Sequence, residues 1–317
     1  MIAVLGLGSI GLRHARNALA LGEAVIGFDP SPERRALAEA EGAAITDSRD
    51  AALAAAQAVV IASPSDRHED DLAAAIAAGR HALVEKPIGH RVGRLPELLD
   101  QADRAGLVIA AALNLRVHPC VLLARHAIAE GRLGQMLWGR FLAALYLPDW
   151  RPGQDWRQGY ANDPRTGGAI FDYIHEFDLA AHLLGGFRPA ACVARRSGTL
   201  GLDSEDVADA ILEHPGGVTS TVHVDYVTRP RLRGFTLAGT EGLIHVDLDR
   251  RHFRCLGQDG EAVIDQSLPG GYADDYVTEM SAFLAALRGA PAVCGGREAL
   301  AVLEGILLTR SLAGLPS

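Results

Sequence analysis

The chain has 317 residues, enough for two domains of ordinary size. With 49% hydrophobic and 22% charged residues its composition is globular, which excludes a disordered or collagen-like chain. A net charge of −9 without a basic stripe argues against nucleic acid as a partner, and no apolar run reaches the roughly 20 residues that cross a bilayer, so no membrane partner is expected. Residues 1–8 lack a basic leader and read as a strand. Cys120, Cys192, Cys255 and Cys294 lie far apart and form no CxxC pair, which argues against a disulfide framework or zinc site and for a reducing, cytoplasmic location.

The first 118 residues alternate strand and helix signals. Residues 2–5 are a short apolar run ending in glycines; residues 9–21 have helical spacing and stop at Gly22. A second run, 24–28, precedes Ser31-Pro32-Glu33, a helix start with Ser as N-cap and Pro at the first helical position. Residues 58–62, 81–85 and 107–113 read as further strands, and 66–78 and 95–105 as helices stopped by glycines. Such alternation predicts an α/β fold with a doubly wound parallel sheet. Beyond residue 120, a helix at 121–130 and a long strand at 135–147 lead to a loop, 148–166, rich in Pro, Asp, Trp, Arg and Gly. Residues 168–184 read as one helix. Strands are then predicted at 191–198, 207–214, 218–227, 232–238, 243–248 and 252–256, and helices at 272–287 and 297–312. Strands in succession predict an α+β domain with a largely antiparallel sheet.

Gly6, Gly8 and Gly11, with Ser9 and Ile10 between them, form a GxGxxG turn that follows a strand and opens a helix. In that context the glycines let the backbone approach a pyrophosphate, and the helix N-terminus offers it free N–H groups. Asp29 ends the second strand, 18 residues past Gly11, where an acid meets ribose hydroxyls and repels a 2′-phosphate. NAD is therefore expected over NADP, although Arg34 and Arg35 stand close by. Lys86 is the single lysine among 30 Lys and Arg residues, and it sits at the C-terminal end of a strand, on the ligand side of an open α/β sheet. Arginine cannot give up its proton and lysine can, so Lys86 is a candidate for work at the reacting hydroxyl. The alternative is an exposed lysine in a turn.

These residues, with Ser63-Pro64 and His68, Glu85-Lys86-Pro87, Asn114-Leu115-Arg116, His118-Pro119, Gly167-Gly168, Asp172, His175-Glu176, Asp178 and Tyr276…Glu279…Phe283, resemble the glucose–fructose oxidoreductase/inositol dehydrogenase/rhizopine-catabolism (Gfo/Idh/MocA) family over essentially the whole chain. The resemblance implies a Rossmann domain, an open-faced α/β C-terminal domain, a nicotinamide cofactor, dimers or tetramers, and sugar, cyclitol or nucleotide-sugar substrates. It assigns Ser63, Pro64, His68, Glu85 and Asn114 to the cofactor side and Arg116 to the junction of cofactor and substrate.

Within residues 168–184, Ile170, Ile174, Phe177, Ala181 and Leu184 form an apolar stripe, which leaves Asp172, His175, Glu176 and Asp178 on what reads as a solvated face. The resemblance instead aligns His175 with a catalytic histidine and Asp172 with its acidic companion. The family pattern has its acid four residues before the histidine. Here Asp172 is three before and Phe171 holds the other position. Either spacing shares a helix face. In the preceding loop Trp150, Trp156 and Tyr160 could stack on a sugar, with Arg151 and Pro152 between; equally they could anchor the loop or meet a neighbouring subunit. The shorter spacing and Trp-rich loop resemble a subgroup that works on cell-surface sugars. His14, His68, His126, His214, His223, His245 and His252 show no metal-ligand spacing.

The expected organisation is an NAD-binding Rossmann domain over 1–118 and a substrate-binding and oligomerisation domain over 119–317, whose bare sheet face points to a homodimer or homotetramer. The expected function is hydride transfer between NAD(H) and a CH–OH group of a sugar, cyclitol or sugar derivative. Two rivals stay open: an NAD-retaining enzyme that cleaves glycosides through transient oxidation, and a nicotinamide sensor without catalysis.

Overall fold

The computed structural model describes residues 1–150, 153 and 155–316, so Arg151 and Pro152 of the Trp-rich loop lie outside the described residues. The chain forms two compact units, one of Met1–Val117 with Gly271–Leu303, the other of His118–Gly270 with the end of the chain from Glu304.

In the first unit, strands β1 (Ile2–Leu5), β2 (Val25–Phe28), β3 (Ala44–Thr46), β4 (Ala58–Ile61), β5 (His81–Glu85) and β6 (Ile109–Ala112) form one parallel sheet in the order β3-β2-β1-β4-β5-β6. Helices α1 (Ser9–Ala20), α2 (Pro32–Ala40), α3 (Arg49–Ala55), α4 (His68–Ala77) and α5 (Leu95–Arg104) connect them. This is the doubly wound order, whose reversal between β1 and β4 opens a ligand crevice at the C-terminal strand ends. The strands are apolar throughout because helices cover both faces. The unpredicted β3 has three residues and α3 is a short Ala-rich helix, capped by Ser48. A short turn, Asn114–Val117, closes this part.

The second unit begins with α6 (Pro119–Ala129), whose N-cap is His118, and the long strand β7 (Met136–Tyr146). A helical turn α7 (Leu147–Trp150) follows, then α8 (Ala169–Asp172) and α9 (Ile174–Leu184). The predicted single helix is thus broken at Tyr173, whose φ of −95° and ψ of 35° leave the helical region. Strands β8 (Arg188–Arg195), β9 (Val207–Glu213), β10 (Thr219–Asp225), β11 (Val227–Gly239), β12 (Gly242–Asp247), β13 (His252–Gly257) and β14 (Ala262–Ser267) complete an eight-stranded sheet ordered β14-β13-β12-β11-β7-β10-β9-β8. It is antiparallel except where β10 runs parallel to β7. One face carries Phe141, Val222, Phe235, Ile244 and Phe253, buried beneath α6, α8 and α9. The other face bears Arg140, Ile211, Thr221 and His245, exposed in the single chain. The fold class expected from the sequence is the one observed.

The chain then returns to the first unit. Helix α10 (Tyr272–Ala286) lays Met280, Phe283 and Leu284 into the core formed by β1 and α1. The last helix, α11 (Gly296–Leu312), passes the division between Leu303 and Glu304. A single cut near residue 118 does not describe this return, because apolar pattern marks a helix without marking which core receives it.

Arg310 on α11 is fully buried and bonds the carbonyls of Pro164, Gly167 and Pro316 and the carboxylate of Glu205 (3.1 Å), with its guanidinium 4.4 Å from the centre of the Phe171 ring. It thereby staples the turn before α8. Burial pushes Glu205 above the usual carboxylate range, and Arg310 opposes that shift. Arg310→Met is expected to cost about 3–5 kcal/mol, the loss when one partner of a buried pair is removed, read from the denaturant midpoint. On the exposed sheet face His223 bridges Asp209 (2.7 Å) and Asp225 (3.0 Å), and the Asp225 bond, against partial burial, raises it to about 9. Since the folded value lies above the unfolded value of about 6.5, this stabilisation is complete below pH 6.5 and lost as pH rises through about 9. His223→Asn should flatten the alkaline limb of a stability–pH curve and soften the acid limb as well, because the His223 bond helps hold Asp225 below the usual carboxylate range.

Candidate active site

The glycine-rich turn is built for close approach. A Cβ at Gly11 would lie 1.8 Å from the Gly6 carbonyl oxygen, and one at Gly6, whose φ is +86°, would lie 2.5 Å from the Ala62 carbonyl. Gly8 caps α1 without a side-chain hydrogen bond, and a Cβ there would meet only Arg34, at 4.0 Å. The open cradle and the uncapped helix N-terminus, with the N–H groups of Ser9, Ile10 and Gly11, fit a dinucleotide pyrophosphate. Asp29 is 2% exposed; it accepts the N–H of Leu7 (2.8 Å) and of Ser31 (2.9 Å), so the acid at the end of β2 also fixes the glycine turn. Arg34 Nη1 lies 3.5 Å from Asp29 Oδ2, the oxygen that accepts the Leu7 N–H.

At the ends of β4 and β5, His68 is a brace. Its Nδ1 lies 2.8 Å from the Pro87 carbonyl and its Nε2 2.8 Å from the Ser63 carbonyl. Burial holds its proton affinity below the ordinary value. The Ser63 hydroxyl donates to Asp71, and Pro64 turns the chain into α4. Glu85 is buried, accepts the Lys86 N–H (3.0 Å) and pairs with His14 Nε2 (2.7 Å). Burial disfavours its charge, yet the bond from His14, with Lys86 beside it, outweighs burial and holds Glu85 below the usual carboxylate range. Asn114, at the end of β6, is buried with no partner for its Nδ2 among the described residues, a donor suited to a carboxamide. Arg116 is buried against the Val293 carbonyl (3.0 Å) and Glu298 (3.1 Å), contacts that tie its turn to the start of α11.

In the second unit, the expectation that Asp172, His175, Glu176 and Asp178 face solvent is overturned. Their exposures are 4%, 8%, 1% and 0%. The reason is β11: Tyr226, just before it, donates to Asp172 (2.5 Å), and Arg233 on it forks onto Glu176 at 2.7 and 3.3 Å. Burial and Asp172 together push the Tyr226 phenol well above its ordinary range, which keeps it a donor. The break at Tyr173 places Asp172 and His175 on separate helical pieces. Trp150 is 41% exposed and stacks on Tyr173 at 6.2 Å with planes 6° apart. Trp156 donates its indole N–H to the Leu200 carbonyl (3.0 Å) and so anchors the loop, while Tyr160 stands half-exposed. His14, Tyr226, Glu279 and Arg310 carry no role in the sequence reading. For His14 and Glu279 the available signal was their position in buried helical stripes: His14 follows Gly11 by three and precedes Ala18 by four, and Glu279 sits between Tyr276 and Phe283.

Residues 1–113 match the family described as "Oxidoreductase family, NAD-binding Rossmann fold", and residues 121–245 match the GFO/IDH/MocA C-terminal domain. A dTDP-3,4-didehydro-2,6-dideoxy-alpha-D-glucose 3-reductase of Streptomyces violaceoruber is 31% identical over 78% of this chain and 72% of its own. The chain belongs to the Gfo/Idh/MocA family. It is an NAD-dependent oxidoreductase, as the family resemblance implied. A 1,5-anhydro-D-fructose reductase of Ensifer adhaerens is 29% identical over 81% of this chain and 77% of its own. In structure the chain is similar to the UDP-N-acetylglucosamine 3-dehydrogenase of Acidithiobacillus ferrooxidans, with a TM-score of 0.82 at 24% identity, covering 98% of this chain and 96% of that one. No helix among the described residues is long and apolar enough to cross a membrane.

Tyr226→Phe removes a donor from the buried Asp172 carboxylate. It should cost about 1–3 kcal/mol of stability, read as a lower denaturant midpoint at unchanged slope.

Proposed function

We propose that this enzyme moves hydride between NAD(H) and a secondary CH–OH group of a sugar, cyclitol or sugar derivative. The observation that supports it most is the strand edge where an uncapped glycine turn, Asp29, the Glu85-anchored Lys86 peptide and the orphan Asn114 amide stand together. The named substrates of the sugar-acting relatives support the substrate class.

Gly6, Gly8, Ser9, Ile10 and Gly11 bind the pyrophosphate through backbone N–H groups, and Asp29 takes the adenosine ribose hydroxyls. Ser63, Pro64 and His68 shape the wall beside them, and Asn114 takes the carboxamide. NAD supplies the two-electron acceptor for the hydride leaving the substrate carbon. His175 takes the hydroxyl proton in oxidation and returns it in reduction, so one proton and one hydride leave the CH–OH group together. Asp172, held by Tyr226, orients and charge-stabilises His175. Lys86 holds the reacting oxygen and stabilises its developing negative charge. Trp150 and Tyr160 offer aromatic faces to the substrate, Trp156 anchors their loop, and Arg116 supports the junction. The bare sheet face pairs two copies into a homodimer or homotetramer, in the cytoplasm.

The test incubates the protein and NAD with cyclitols, aldoses, amino sugars, nucleotide sugars and glycosides, following NADH absorbance and product mass together. NADH with a product two hydrogens lighter is expected, with NAD favoured over NADP by roughly tenfold or more in kcat/KM. A cleaved product without net NADH would transfer the protein to the transient-oxidation reading, and binding without turnover to the sensor reading. Lys86→Met removes the charge that holds the reacting oxygen and should lower kcat at least about a hundredfold; full turnover would remove Lys86 from the mechanism.

A further inference from the structure

Glu279 and His14, both in the first unit, carry buried polar atoms without a hydrogen-bond partner among the described residues. Neither carboxyl oxygen of Glu279, which is 3% exposed, has a hydrogen-bond partner among the described residues, and neither has Nδ1 of His14, which is 0% exposed. Buried polar atoms are nearly always paired, because an unpaired one loses its hydration and gains nothing in return. The two orphans belong to one neighbourhood. Helix α10 packs on α1; the Tyr276 ring meets His14 edge-on at 6.2 Å, and Glu279 follows Tyr276 by one helical turn. Glu85, bonded to the other nitrogen of the same imidazole, is close enough for its charge to act on Glu279.

We propose that Glu279 and His14 are positioning residues for hydride transfer, forming a buried chain of carboxyl, imidazole and carboxylate that ends at Glu85 on the backbone N–H of Lys86. The proton inventory follows from the geometry. Glu85 is the acceptor for two donors, His14 Nε2–H and Lys86 N–H. His14 therefore carries its proton on Nε2, and Nδ1 is left to accept. A carboxylic acid at Glu279 is the matching donor, directly or through one buried water. That one proton pairs a Glu279 oxygen with His14 Nδ1. A second carboxylate beside Glu85 would be disfavoured, and burial together with the charge of Glu85 pushes the Glu279 carboxyl well above the usual carboxylate range. The nearest cation on α1, Arg13, is turned to the rings of Tyr272 and Tyr276 at 5.2 and 4.7 Å. The chain has a mechanical consequence. Glu85 holds the peptide that carries Lys86, and a rotating Glu85 would release it. Bonds on both sides of the imidazole fix Glu85 from α1 and α10, the elements that also form the glycine turn and the core beneath it.

This inference rests on the proposed role of Lys86, and the experiment separates the two. His14→Met keeps length without a donor, and His14→Gln restores an N–H near Nε2. Glu279→Leu and Glu279→Gln form a second such pair. Each is assayed with the fastest sugar of the panel for kcat, KM and NAD affinity, alone and combined with Lys86→Met, and the ¹⁵N shift of His14 Nδ1 is recorded on the NAD-bound protein. His14→Met and Glu279→Leu should lower kcat between roughly ten- and a hundredfold with NAD affinity unchanged. The Gln variants should recover most of the loss, Glu279→Leu should move the His14 Nδ1 resonance, and His14→Met should add nothing once Lys86 is Met. Unchanged kcat in His14→Met and Glu279→Leu, an unmoved resonance, or a loss confined to NAD binding would overturn the chain. Full kcat in Lys86→Met would overturn the role of Lys86, leaving the Nδ1 resonance to decide whether Glu279 bonds His14. Should His14→Met fail to fold, the Glu279 pair and the resonance carry the decision.

Discussion

A carboxylate buried at the end of a parallel strand sets the terms for the first unit. Glu85 is out of water, so its charge is sustained only by donors brought to it. One donor is the N–H of the next residue, Lys86; the other is His14, delivered by the helix that opens on the glycine turn. The backbone of the single lysine is thereby tied to the helix that opens on the glycine turn. In the proposed function, cofactor recognition and placement of Lys86 thus share one rigid element.

The second unit solves its own buried charges in the same way. Asp172 is met by the Tyr226 hydroxyl, Glu176 by Arg233 and Glu205 by Arg310. Each partner comes from β11, from the residue before it, or from α11, far along the chain. Such pairs add little net stability, since desolvation offsets attraction, but losing one member is costly. Their effect is to hold short helical pieces, α8 and α9, in one arrangement despite the break at Tyr173.

The resemblance named residues whose geometry then proved to differ in kind. Asp29 and Asn114 stand at the strand edge with groups suited to a ligand. His68, Arg116 and Trp156 have their described bonds to backbone carbonyls or to Glu298, and brace the loops that shape the edge. A motif records that a residue type recurs at a spacing. Whether its polar atoms face a ligand or a neighbouring loop depends on what lies opposite.

The doubly wound sheet was legible from the chain because its strands are short apolar runs and its helices stop at glycines, both local properties. The glycine turn, Asp29 and the unique lysine were legible for the same reason: backbone approach, charge and proton chemistry belong to residue types. The misses have physical causes too. β3 and β14 are a three-residue strand and an edge strand with no buried position, so neither shows alternation. Residues 169–184 contain no glycine or proline to announce the break at Tyr173. The apparent solvated face of that segment is buried because β11 brings Tyr226 and Arg233 against it. The return of α10 to the first core, and with it the meeting of Glu279 with His14 and Glu85, joins residues some 190–270 positions apart. Sequence determined which groups could carry charge, turn or hydride chemistry. Tertiary structure alone decided which of them are buried together, because burial is a property of the neighbours that a segment acquires and not of the segment itself.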